Sequence, residues 1–354
     1  MKRLFCACLP VLTFLNPVAA QTAPYADLLT NADITWVAEY TSDFTLQPQV
    51  YGGYGFESTI NEVSVMQLSD APPDNGLFAR QRLEAYFSRK IMGDIRKGVF
   101  SFYEDELLET PLSLEKALER MVRLDTVVTF DPEMYEEKVN ISVNNIDEDD
   151  VATFRFRQVF FFNKQDRTFG SRLLAFAPLI ARFNIEGDPA EPRVLFWLKV
   201  EVPKNATRVV PADVTYACET KMRGNAPLLG DFRLKKGRLD FLQYVANEVA
   251  QPSHPVLDPN FQPIGPASLQ EFVIRPDTVV DYQAYSGSEE PVKIIQRNVI
   301  AHIVSVSFVQ HWFYDDRKRL FFNRVVAMAP ELAVKDDLDN LVSREVLFYV
   351  LNIK

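Results

Sequence analysis

Cysteine is scarce in this chain, with three in 354 residues. Cys6 and Cys8 fall in the first twenty residues, which read as a secretory leader: Lys2-Arg3, then an apolar stretch from Leu4 to Leu15, then Val18-Ala19-Ala20 as a small-residue cleavage site. Both cysteines precede or open the apolar stretch, so a lipoprotein signal fits poorly. A chain cleaved after Ala20 and exported to the periplasm keeps only Cys218. One thiol cannot close an intrachain disulfide, so packing alone must hold the fold in an oxidising compartment. Cys218 takes the place of Ala38 in an earlier similar stretch and reads as a small buried apolar residue.

Histidine is equally sparse. His254, His302 and His311 have no neighbours at metal-ligand spacing. No G-x-S-x-G elbow occurs, and no cysteine is matched to a histidine in a known signature. Asp147–Asp150 and the acidic group at 336–339 lack the glycine and terminal glutamate of a calcium loop, so they read as solvated turns. Tyr51-Gly-Gly-Tyr-Gly-Phe56 precedes no helix at phosphate-loop spacing. Positive charge is also short, with 38 Lys and Arg against 48 Asp and Glu, for a formal charge of −10. An acidic chain repels phosphate backbones, which argues against a nucleic-acid partner. No run approaches the ~18 apolar residues of a membrane span. The expectation is no catalytic residue, no metal and no cofactor.

What the chain does have is repetition. Phe156–Trp197 and Phe308–Tyr349 align without a gap at a constant offset of 152. Phe156, Gln158, Phe161, Arg167, Phe169, Arg172, Ala175, Ala177, Pro178, Ala181, Val194, Leu195 and Phe196 all meet identical residues. Arg123-Leu-Asp-Thr-Val-Val128 faces Arg275-Pro-Asp-Thr-Val-Val280 at the same offset, and Ala32–Trp36 faces Ala212–Tyr216 at 180. A tandem duplication is the expectation. It predicts two homologous domains, 31–203 and 211–354, joined by a linker at 205–211.

Each domain is expected to be α+β, a twisted antiparallel sheet carrying two helices. Asp33–Glu39 alternates as a strand. The stretch 41–75 reads as a long irregular loop. Leu77–Lys97 is periodic as a helix closed by Gly98, and Leu114–Val122 follows after Ser113. The second domain has Leu239–Ala250, then a helix from Leu269 behind the capping box Ser268-Leu-Gln-Glu271. Val151–Phe162 and Thr168–Ala177 form a hairpin that Pro178 ends. Val194–Val202 returns as a third strand, with Val346–Ile353 as its counterpart.

The residues Phe154-Arg-Phe-Arg157, Phe162-Asn-Lys164, Arg172-Leu-Leu-Ala-Phe-Ala-Pro178 and Leu195-Phe-Trp197 resemble the GldN/PorN family of gliding-motility and type IX secretion ring proteins. The second copy is similar, with Phe313-Tyr-Asp-Asp316, Arg324-Val-Val-Ala-Met-Ala-Pro330 and Leu347-Phe-Tyr349. Ala175 and Ala327 stand where the family pattern has glycine, and Asn163 where it has aspartate. The resemblance implies a non-enzymatic periplasmic scaffold in an oligomeric assembly. Its implied partners are an outer-membrane ring lipoprotein of the GldK/PorK type and inner-membrane motor-complex proteins.

The repeated polar residues Arg172 and Arg324 are the candidates for structure or interface. A salt bridge to the equally repeated Asp125 and Asp277 would lock each sheet, whereas exposure would suit an interface anchor. Phe161 and Phe313, within aromatic runs whose neighbours face opposite sides of a strand, and the closing Trp197 and Tyr349 complete the candidates. The rival expectation is an exported binding module or enzyme with its site in a cleft between the domains.

Overall fold

The computed structural model describes residues 24–45, 64–65, 84–131, 136–147, 150–151, 153–183, 188–201, 216–225, 232–280, 292–315, 320–335 and 341–352. The expected leader, the linker and most of the 41–75 stretch lie outside these residues. The first half runs α1 (Ala26–Thr30), β1 (Ile34–Thr45), β2 (Ser64–Val65), α2 (Glu84–Arg96), β3 (Phe102–Tyr103), β4 (Pro111–Leu112) and α3 (Leu114–Glu119). Then come β5 (Val122–Asp131), β6 (Glu136–Asn145), β7 (Thr153–Asn163), β8 (Thr168–Phe183), β9 (Pro189–Val194) and β10 (Trp197–Lys199). The second half opens with β11 (Tyr216–Asn225), β12 (Arg233–Lys236), α4 (Phe241–Ala250), β13 (Val256–Leu257), β14 (Pro263–Ile264) and α5 (Pro266–Phe272). It closes with β15 (Ile274–Val280), β16 (Val292–Asn298), β17 (Ile303–Asp315), β18 (Leu320–Lys335), β19 (Leu341–Val346) and β20 (Tyr349–Leu351).

Two mainly antiparallel sheets hold most of these strands. The first has the order β12-β1-β7-β8-β10-β3-β4, and the second β11-β17-β18-β20-β13-β14. Apart from β12, the orders correspond strand for strand, and β9 and β19 both attach beside the long strand of the hairpin. Register corresponds too. Val37 pairs with Phe161 and Ala217 with Phe313, reproducing both sequence offsets. A bulge interrupts β7–β8 at Arg157/Gln158 and β17–β18 at Val309/Gln310, 152 residues on. In each case the bulge leaves one unpaired residue on the long strand, Leu174 or Val326, and bends the hairpin.

The proline expected to end β8 does not. Pro178 pairs with Phe154 in mid-strand, and the strand continues to Phe183. In an antiparallel strand one residue's nitrogen and carbonyl point to the same side. The Pro178 carbonyl accepts from Leu195 N at 3.1 Å, so its nitrogen faces the β9–β10 side and costs the β7 ladder nothing. Pro330 repeats this with Leu347 N at 2.8 Å. The third strand expected at Val194–Val202 is instead two, β9 and β10, separated by Leu195-Phe196, which are buried in the core. The last strand is likewise divided into β19 and β20.

The helices follow their local signals. Ser113 Oγ accepts from Lys116 N to start α3, and Asp240 does the same for α4 through Gln243 N. Gly98 closes α2 at φ +68°, a conformation other residues adopt only with strain. The capping box at Ser268 is a correction: α5 starts earlier, with Gly265 as N-cap and Pro266 in its first turn, where a missing N–H loses no bond.

The sheets pack face to face. Inward residues of β7 and β17 alternate along their strands and meet across the seam. Phe156 lies on Trp312 at 4.7 Å, and Phe160 on Phe308 at 5.0 Å. Because 156 corresponds to 308 and 160 to 312, this is the reciprocal pattern of a two-fold interface. Gln310 Nε2 donates to Gln158 Oε1 at 3.0 Å near the centre, and also to Ser171 Oγ, while Asn323 Nδ2 donates to Gln158 Oε1. Aromatic rings and this amide network fill the space between the sheets.

The halves also cross over. β12 pairs with the edge of β1, and Phe232 beside it stacks on Tyr40 at 4.6 Å. α4 lays Phe241 against Phe169 at 5.6 Å and Tyr244 against Phe162 at 5.5 Å. One continuous core cluster therefore includes residues of both halves. Two hairpin ribbons stand apart from the large sheets: β5–β6 and β15–β16 are each two-stranded.

Candidate interaction surfaces

The outer face of the first sheet is closed by charge. Arg172 is fixed on β8 opposite Val159, and its two terminal nitrogens donate to the two Asp27 oxygens of α1 at 2.9 Å each. This fork holds the Asp27 carboxyl below the ordinary carboxylate range. The expected partner Asp125 is not the one used. Its backbone lies in β5 opposite Ser142, in a separate ribbon, and its side chain lies outside the described ones. Arg324 sits at the matching place on β18, opposite His311, and is exposed. Asp277 lies in β15 opposite Ile295, again in a ribbon.

Two further ion pairs continue this belt. Arg155 forks Asp43 at 2.6 and 2.9 Å. Arg157 meets Glu39 at 2.8 Å, with only 6% and 3% of the two side chains exposed. Tyr25 also donates to Glu39, Lys235 of β12 lies 3.5 Å away, and Arg157 donates to the Glu106 carbonyl. Burial pushes the Glu39 carboxyl up, but the Tyr25 hydrogen bond and the Arg157 charge outweigh it and hold the group below its usual range. Burial and the Glu39 charge push the Tyr25 hydroxyl the other way, well above an ordinary phenol. Arg157 stands in the motif Phe154-Arg-Phe-Arg157, but no sequence pattern joined it to Glu39, because the two are 118 residues apart.

The aromatic candidates are largely internal. The Phe161 ring lies over Gly170, its cross-strand partner, in the space a side chain there would occupy. Phe313 pairs with Phe322, and its side chain lies outside the described ones. Trp197 is buried against Leu108, Ala175 and Ala177. Tyr349 is buried and stacks on Phe261 at 5.0 Å. Leu108 and Phe261 each cover their aromatic from a hairpin tip, and both have positive φ, 62° and 63°. Asp105 and Asp258 form these tips by accepting backbone N–H groups from Glu109 and Thr110, and from Asn260 and Gln262.

One titratable cluster could suggest catalysis. Ser253 Oγ lies 3.0 Å from His254 Nδ1, and Glu248 Oε2 lies 3.7 Å from that same nitrogen. A proton relay needs the acid and the nucleophile on opposite ring nitrogens, so this arrangement does not activate the serine. Glu248 is instead a joint: fully buried on α4, it takes Arg167 of the β7–β8 turn at 2.6 Å, and the Ser253 hydroxyl and backbone. Burial pushes its carboxyl up, and the His254 and Ser253 hydrogen bonds outweigh this to hold it below the usual range. Among the described residues no group of His, Cys, Asp and Glu could hold a metal ion, and no helix is long and apolar enough to cross a membrane.

The architecture is thus mostly antiparallel sheet with a few helices, an α+β protein whose buried polar groups join one element to another. Residues 68–210 match the model of the family described as Gliding motility associated protein GldN. Over this region the chain is similar to the GldN/PorN family, which supports a component of gliding-motility and type IX secretion machinery. The matched segment contains the first hairpin with Arg172, Pro178 and Trp197, the residues on which the resemblance was drawn. Comparison with curated proteins gives no match.

Proposed function

We propose that this chain is a non-enzymatic scaffold of the periplasmic part of that machinery, exported by its leader and built from two GldN-like units copied head to tail. The family match over 68–210 carries the reading. The matching strand orders and the reciprocal seam support the second unit. Two similar surfaces held at a fixed separation raise the effective concentration for a second contact once the first has formed. Its partners are an outer-membrane ring lipoprotein of the GldK/PorK type and, beyond it, inner-membrane motor proteins. The rival, a site in a cleft between the halves, gains no support from a seam filled with side chains.

Crosslinking in the native periplasm followed by capture of a tagged full-length chain tests this. Recovery of the ring lipoprotein in near-stoichiometric amount is the expected result. A chain recovered alone under crosslinking that preserves other periplasmic complexes overturns it.

A further inference from the structure

The two halves guard one edge differently. β9 and β19 attach at the same place on the long hairpin strand, β8 or β18, and among the described residues neither pairs with a second strand. At the offset of 152, Pro189-Ala-Glu-Pro-Arg-Val194 faces Leu341-Val-Ser-Arg-Glu-Val346. Proline on an edge keeps foreign strands away, because it has no N–H to offer them. In β19 both prolines are gone, and Val342 is 64% exposed.

Backbone direction fixes which residues face outward. Leu347 N donates to the Pro330 carbonyl on β18, so Glu345 also faces β18, while Arg344 and Val346 turn their N–H and C=O groups away from it. The same alternation, counted from Leu195 N on the Pro178 carbonyl, turns Pro192 outward on β9. Arg344 therefore restores the donor that Pro192 deletes. The side chains say what fits there. Arg344 and Val346 share one side of the sheet, and Val346 packs on the cluster of Val309, Val326 and Tyr349. Glu331 on that side is buried and held by Ser305 and Ser307, and Glu345 lies on the other side, paired with Arg275. Arg344 makes no ion pair among the described residues. We infer that β19 is a strand-addition site for an extended peptide segment that sets a carboxylate opposite Arg344 and an apolar residue opposite Val346. The site goes beyond the scaffold reading and holds whichever protein lends the segment.

Fluorescence polarisation of a dye-labelled peptide, Thr-Val-Thr-Glu-Thr-Val-Thr, titrated with the full-length chain is the test. This pattern reads alike in both directions, so it suits a parallel or an antiparallel addition. Saturable binding is expected, about fivefold or more tighter than for the same peptide with Lys in place of Glu. Arg344→Pro installs the guard of β9 and takes no bond from β18, so it should abolish binding and leave the thermal midpoint unchanged. Arg344→Glu should reverse the preference between the two peptides. A wild type that binds neither peptide, or binds both equally, overturns the site, as does an Arg344→Pro chain that binds like the wild type. A chain that binds the Glu peptide as expected but captures no ring lipoprotein supports the site and defeats the scaffold reading alone.

Discussion

At the scale of single residues, the polar groups that matter are those removed from water. Arg157→Met leaves Glu39 buried with only Tyr25 and Lys235 as partners. Removing one member of a buried pair costs about 3–5 kcal/mol, and the surviving partners put this case near the lower end. The loss is readable as a lower urea midpoint. Glu39 and Glu248 both have folded-state carboxyls held below their ordinary value of 4.5. The unfolded chain binds those protons more readily, so the stabilisation is present above about pH 4.5 and is lost as pH falls through the folded values. Urea midpoints measured from pH 7 down to pH 3 should fall more steeply in the wild type than in a Glu39→Gln, Glu248→Gln chain. At the seam, Gln158→Leu alone strands the Asn323 amide, while Gln310 keeps Ser171 and Trp312, and should cost about 1–3 kcal/mol. Adding Asn323→Leu, which removes the stranded amide, should recover part of that loss, a coupling that a double-mutant cycle would measure directly.

Among elements, the joints between the halves are the sensitive places. Gly237 follows β12 at φ +63°, and a Cβ there would run into the Thr35 backbone oxygen. Backbone cannot yield as a flexible side chain can, so Gly237→Ala should cost at least about 2 kcal/mol. The change should appear as lost amide-exchange protection along the β12–β1 pair, with the β17–β18 hairpin unaffected. These joints also mark where the sequence stops being readable. The hairpins, the Gly98 closure and the Ser113 cap are written in neighbouring residues, and local rules find them. Pro178 misleads because a rule about ladders cannot say which side of a strand its nitrogen faces. The Arg172 fork to Asp27 spans 145 residues, and nothing in either neighbourhood points to the other. The ribbon containing Asp125 was hidden for the same reason: a strand announces itself by pattern, but its partner does not.

For the whole molecule, the crossing of β12 and α4 onto the first sheet decides how the chain unfolds. Two self-contained domains joined by a linker would melt separately, each with its own enthalpy. Here Trp36, Phe162 and Phe169 of the first half are covered by Phe232, Phe241 and Tyr244 of the second. Phe169 N also donates to Asn352 Oδ1 at 2.7 Å, and the same amide donates to the Val325 carbonyl, so the end of the chain pins both sheets. Melting either half strips apolar surface from the other, and full exposure of a single Phe costs roughly 1.5–3 kcal/mol. The expected outcome is one calorimetric transition whose van't Hoff and calorimetric enthalpies agree. Phe241→Ala should lower that single midpoint without splitting it, because the deleted ring serves the first sheet while belonging to the second half. Two resolved transitions, only one of them shifted by Phe241→Ala, would mean that the halves are independent bodies and that the contacts across the seam do not couple them.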